Sequence, residues 1–175
     1  FCVEGKKTVS FEMWEQMGFE VPDRVYVSIG DGCITSSIYK GFYDLMQLGL
    51  TNKMPRIIGV QAAGCNPVEV ALKTGKFVAQ DGNTIADSIA VGIPRNRLKL
   101  VRALENSHGT RIPVTDDEIG AALVELPRST GVFGEPAGVT AFAGFKKHAK
   151  AKDIKAEEKV VVLITGNGLK DIDSA

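Results

Sequence analysis

Short apolar runs of β-branched and aromatic residues recur along this chain, and segments of helical periodicity separate them. That alternation constrains the fold more than any other feature. Arg24-Val-Tyr-Val-Ser-Ile29 reads as a buried strand, as do Arg56 to Val60 and Arg111 to Val114. Lys159-Val-Val-Val-Leu-Ile-Thr165 reads as a continuous apolar strand, ending at Gly166-Asn-Gly168. Between them the spacing predicts helices over Val9 to Met17, capped by Thr8 and closed by Gly18, and over Thr35 to Leu48. A short helix is predicted from Asn66-Pro67 to Gly75, and a longer one over Arg95 to Ser107. Thr115-Asp-Asp-Glu118 is a capping box that opens another, which Pro127 is expected to end or kink. Glu135-Pro136 starts the last, running to about Lys150. Asp81 to Gly92 follows neither period. Strands alternating with helices predict an α/β fold, with one parallel sheet covered by helices on both faces. At 175 residues, 1–175 form one unit.

Composition narrows the classes of function. Lys+Arg and Asp+Glu number 21 each, so the net charge is zero and no basic nucleic-acid footprint shows in bulk. No apolar run reaches the roughly 18 residues that a membrane span needs. Cys2, Cys33 and Cys65 form no CxxC and are too few for a disulfide scaffold, so a reduced, cytoplasmic setting is expected. His108 and His148 stand alone and read as surface residues, and no metal site is expected. The chain starts at Phe1, without Met or a signal-peptide pattern, and is expected to be a processed product or a fragment.

In parallel sheets, ligands sit beyond the carboxyl ends of the strands, so the strand-end loops 30–35 and 165–168 are the first places to look. Gly30-Asp-Gly-Cys-Ile-Thr35 links a strand to a helix whose start, with Ser36 and Ser37, is rich in hydroxyls. Glycines let backbone amides wrap an anion, the helix N-terminus adds partial positive charge, and the hydroxyls can donate. A phosphate is the natural guest, yet the same glycines serve a bare tight turn equally well. Neither a Walker loop nor GxGxxG in dinucleotide spacing is present. Thr165 ends the last strand, where its hydroxyl can meet a ligand ring nitrogen or simply bond nearby backbone. Cys33 reads as a small structural residue in the loop. Glu135 reads either as a helix-start carboxylate or as a site residue.

Six segments then stand in a familiar order: Glu4-Gly-Lys-Lys-Thr8, Val27-Ser-Ile-Gly-Asp-Gly-Cys-Ile34, Gly59-Val-Gln-Ala-Ala63, Gly92-Ile-Pro94, Phe133-Gly-Glu-Pro-Ala137 and Thr165-Gly-Asn-Gly-Leu-Lys-Asp171. Together, across almost the whole chain, they resemble the C-terminal half of threonine synthases. Those are tryptophan-synthase-β-like enzymes that use pyridoxal phosphate. The resemblance implies a partial fold type II, with the cofactor phosphate held by Gly30, Asp31, Gly32, Cys33, Ile34 and Thr35 and the ring nitrogen met by Thr165. It also implies conversion of O-phosphohomoserine and water to threonine and phosphate. Protons leave Cα and Cβ, phosphate leaves Cγ, and water adds at Cβ. The full-length enzyme is expected to be a homodimer.

Two departures accompany the resemblance. The family's loop resembles Gly-Asn-x-Gly-Asn, whereas this one is shorter and carries Asp31 for Asn. A carboxylate beside a phosphate is unfavourable unless it points away. The family's Schiff-base lysine lies in an Asn-Pro-Thr-x-x-Phe-Lys-Asp-Arg-like motif upstream, and nothing like it occurs here. The chain is therefore expected to be part of a longer enzyme and inactive alone. Another β-replacing lyase, such as a cysteate synthase, and a non-catalytic ligand-binding module are the alternatives.

Overall fold

The computed structural model describes residues 1–172. Four parallel strands, β1 (Arg24–Ser28), β2 (Arg56–Ala62), β3 (Thr110–Val114) and β4 (Val160–Val162), lie in the order β3-β2-β1-β4. Seven α-helices connect and cover them: α1 (Cys2–Lys6), α2 (Thr8–Gln16), α3 (Cys33–Gln47), α4 (Pro67–Thr74), α5 (Arg97–Asn106), α6 (Asp116–Thr130) and α7 (Pro136–Lys150). Single 3₁₀ turns occupy Asp87–Ile89 and Gly168–Lys170.

The two-residue period of the strands sorts their side chains between two cores. Val25, Val27 and Ile57 face Met13, Ile38, Phe42, Val68, Leu100 and Leu104, contributed by α2 to α5. Tyr26, Ile58, Val60, Ile112 and Val114 face α6 and α7. Both sides of the sheet are thus closed, as the unbroken apolar runs require. Two glycines make room in the core. A Cβ on Gly59 would lie 2.2 Å from Ile29 Cδ1, and one on Gly144 would lie 2.5 Å from Val60 Cγ2.

Local expectations fail at four points, each for a tertiary or backbone reason. The N-terminal helix is two helices that meet at Lys7, with the Thr8 hydroxyl donating to the Gly5 carbonyl (3.0 Å) instead of capping. Gly41 leaves no room for a Cβ beside Lys7 O and Ser10 (2.5 Å each), so this corner sits directly on α3. Pro127 does not end α6. Ile119, Ala122 and Leu126 hold the helix in the core, and past the proline the Gly131 N–H donates to the Pro127 carbonyl (2.9 Å). The last strand pairs with β1 over Val160–Val162, with one more bond from the Leu163 N–H to the Tyr26 carbonyl (3.0 Å), and beyond it the chain leaves the sheet to bridge Asn167 to Gly134. His148 is half-buried rather than at the surface, its Nδ1 2.9 Å from the Tyr26 hydroxyl.

Two outcomes test this packing. Gly120→Ala on α6, where a Cβ meets nothing within 4 Å, is expected to stabilise the fold by about 0.5–1 kcal/mol in urea unfolding. Gly144→Ala on α7 is expected to destabilise it by about 1–3 kcal/mol. Burial pushes the His148 imidazole below its ordinary range. The unfolded chain therefore binds more protons there, and stability is expected to fall as pH drops below about 6.5. In His148→Gln, which keeps an acceptor for Tyr26, the decline between about pH 7.5 and 5.5 should flatten.

Candidate active site

The strand order dictates where a crevice forms. From β1 the chain moves outward through β2 to β3, then returns across the sheet to β4 on the other side of β1. The connections leaving β1 and β4 therefore diverge, and the gap between them lies at their carboxyl ends. A cavity of about 290 Å³ sits there, near the lower end of ligand-site volumes. One wall is Gly30 to Ile34 and the other carries Glu135 and Thr165, with Ser28 also on the lining.

The loop wall presents unpaired backbone donors at a helix start. Gly32 takes the left-handed conformation (φ +82°) as the N-cap of α3, and a Cβ there would lie 2.8 Å from Leu100 Cβ. Among the described residues, nothing in the chain accepts a hydrogen bond from the backbone N–H groups of Gly30 to Thr35. These amides add to the partial positive charge of a 15-residue helix. Asp31 does not oppose this field. Its Oδ1 accepts from the Arg95 N–H (3.1 Å) and its carbonyl from the Asn96 N–H (3.1 Å), so the carboxylate is turned toward the start of α5. The Asn96 amide nitrogen in turn donates to Ser36 Oγ (2.7 Å) and the Gly32 carbonyl (3.3 Å).

The predicted loop residues divide by position. Gly30, Asp31, Gly32, Cys33 and Ile34 line the cavity, with Cys33 half-buried. Thr35 is fully buried behind the wall, its Oγ1 without a hydrogen-bond partner. The hydroxyls of Ser36 and Ser37 donate back to the Gly32 and Cys33 carbonyls (2.7 Å each) rather than into the cavity. Thr165 lies on the opposite wall, exposed, three residues past the last paired residue of β4.

Four further polar residues reach this cavity. Ser28 ends β1, and its Oγ accepts from the Ala141 N–H (3.0 Å). Strand alternation could have flagged it, because it follows Tyr26 on the same face of β1. Ser88 comes from the 3₁₀ turn inside the unassigned stretch 81–92. Lys6 arrives on α1, and Lys170 on the turn after Thr165. Lys6 and Lys170 stand in two of the six familiar segments and Ser88 in none, and only long-range packing brings the three together.

Residues 1–166 match the model of a family described as "Pyridoxal-phosphate dependent enzyme". The chain is 40% identical to a threonine synthase from Methanocaldococcus jannaschii over 178 residues, covering 100% of this chain and 44% of that protein. It is 37% identical to one from Mycobacterium tuberculosis, covering 99% of this chain and 46% of that protein. The chain thus spans less than half the length of these relatives. Among solved structures, a threonine deaminase isoform 2 from Solanum lycopersicum superposes with a TM-score of 0.79 at 22% identity, over 98% of this chain and 47% of that one. A serine racemase from Dictyostelium discoideum gives 0.74 at 26% identity, over 94% of this chain and 49% of that one. The fold is that of fold type II enzymes.

The cavity fits pyridoxal phosphate: its loop amides have no other acceptor, Asp31 is turned aside, and Gly32 leaves the helix start open. Gly32→Ala, strained in backbone and crowded against Leu100, is expected to weaken cofactor binding at least tenfold in an absorption titration. Gly75→Ala carries a similar backbone penalty (φ +76°) with nothing within 4 Å of its Cβ, and should leave the affinity unchanged.

Proposed function

The chain belongs to the pyridoxal-phosphate-dependent enzyme family, and on that premise we propose that it is the C-terminal part of a threonine synthase. The complete enzyme would convert O-phosphohomoserine and water to threonine and phosphate, as a lyase and as a homodimer. The observation that supports this best is one cavity joining the Gly30–Ile34 loop to Thr165, in a chain that matches threonine synthases from end to end.

Bound pyridoxal phosphate supplies an electron sink for carbanion chemistry at the substrate. The protein's part is to bind and orient it. In this reading the amides of Gly30 to Thr35 hold the phosphate against the start of α3, and Thr165 offers its hydroxyl to the ring nitrogen. A hydroxyl, unlike a carboxylate, does not favour a proton on that nitrogen, which suits elimination and replacement. Ser28 is already bonded to the α7 backbone, so it shapes the cavity floor rather than moving a proton. In the same reading the lysine that attaches the cofactor lies in another part of the enzyme, and this chain alone is inactive.

The test is turnover by the complete enzyme. O-phosphohomoserine is expected to yield threonine and inorganic phosphate, while O-phosphoserine should not react. Turnover of O-phosphoserine alone would instead identify a sister β-replacing lyase. Thr165→Val should retain the cofactor but lower kcat about tenfold or more, since one neutral hydrogen bond contributes roughly 0.5–1.5 kcal/mol and its loss also frees the ring.

A further inference from the structure

Glu135 is an unusual neighbour for an anionic cofactor. It is 4% exposed, stands at the N-cap of α7, and lines the cavity. Its carboxylate lies directly beneath the residue that follows Thr165, since a Cβ on Gly166 would fall 2.1 Å from Oε1. Backbone bonds fix it there. The Glu135 N–H donates to the Gly166 carbonyl (3.0 Å), the Gly168 N–H donates to the Phe133 carbonyl (3.1 Å), and Gly134 and Asn167 form an antiparallel bridge. Lys170 closes the arrangement. Its Nζ lies 2.9 Å and 3.2 Å from the two Glu135 carboxylate oxygens and donates to Ser88 Oγ at 2.9 Å.

We infer that Lys170 is a positioning residue for the Thr165 wall: by neutralising Glu135 and holding it back toward Ser88, it leaves the neutral Thr165 hydroxyl as the group presented to the cofactor ring. The inference rests on the orientation proposed above. Among the described residues, the other titratable groups on the cavity are Lys6 from α1 and Asp31 and Cys33 from the loop, and Asp31 is committed to the start of α5. A carboxylate freed of its lysine at the Thr165 wall would favour a protonated ring in the bound cofactor. Removing the carboxylate as well would cancel that effect.

The experiment is a pH titration of the visible absorption of the complete holoenzyme, without substrate. Lys170→Met, at a side chain 60% exposed, should keep stoichiometric cofactor and raise the titration midpoint by about one pH unit, a tenfold change in proton affinity. Lys170→Arg should titrate as the wild type. Lys170→Met combined with Glu135→Gln should return the midpoint to the wild-type value, which a merely structural tie would not do. An unchanged midpoint in Lys170→Met, or a double variant shifted as far as the single one, overturns the inference. Because no substrate enters the measurement, its outcome is independent of whether the wild type forms threonine.

Discussion

β1 is buried on both faces, and everything at the site depends on that strand being immovable. All five of its residues are buried, and its hydrogen bonds run to β2 on one side and β4 on the other. Its carboxyl end is therefore a fixed point. From it the Gly30–Gly32 turn must leave toward α3, while the chain emerging from β4 leaves on the other side. The cavity is the space these two departures cannot fill. No special loop is needed to create it; reversing the strand order is enough.

The electrostatics of the cavity follow from how its two carboxylates are handled. An anion site made of amides and a helix N-terminus tolerates negative side chains only if they are directed elsewhere. Asp31 is occupied by backbone donors from the start of α5, and Glu135 by Lys170. The first arrangement also accounts for the loop's departure from the family pattern. Asp31 positions α5, and Asn96 at the start of α5 returns the contact through the Gly32 carbonyl and Ser36. The loop and α5 thus form one hydrogen-bonded unit, with Gly32 packed against Leu100 at its centre.

Much of the fold was legible because these elements bury complete faces. The strands β1 to β3, the capping box at Thr115 and the Pro136 start of α7 all follow from local pattern. What local pattern could not carry were features decided elsewhere. The α1–α2 corner depends on Gly41, thirty-four residues after Lys7. Continuation of α6 past Pro127 depends on core contacts of Ile119, Ala122 and Leu126 with distant segments. His148 looks isolated in sequence, yet its partner Tyr26 lies 122 residues away. The site divides in the same way. The loop's place as a strand-to-helix turn on the cavity was readable because strand, glycines and helix start are contiguous. Lys6, Ser88, Glu135 and Lys170 converge from four elements, and of these only Glu135 was singled out as a site residue from the sequence.

That division has an energetic counterpart. The loop wall is held by short-range geometry: one left-handed glycine, one helix start and a few bonds to α5, all supported by the core beneath. The Thr165 wall follows an edge strand with three paired residues, each half-buried, and is tied to the rest by the 134–167 bridge and the Glu135–Lys170 pair. Lys170 is largely exposed, where an ion pair alone contributes little. Burial of Glu135 makes this one different, because its carboxylate, once unpaired, faces the cavity rather than bulk water. Placing the cation therefore requires little desolvation, whereas losing it strands a buried charge. The role proposed for Lys170 at the Thr165 wall draws on that asymmetry.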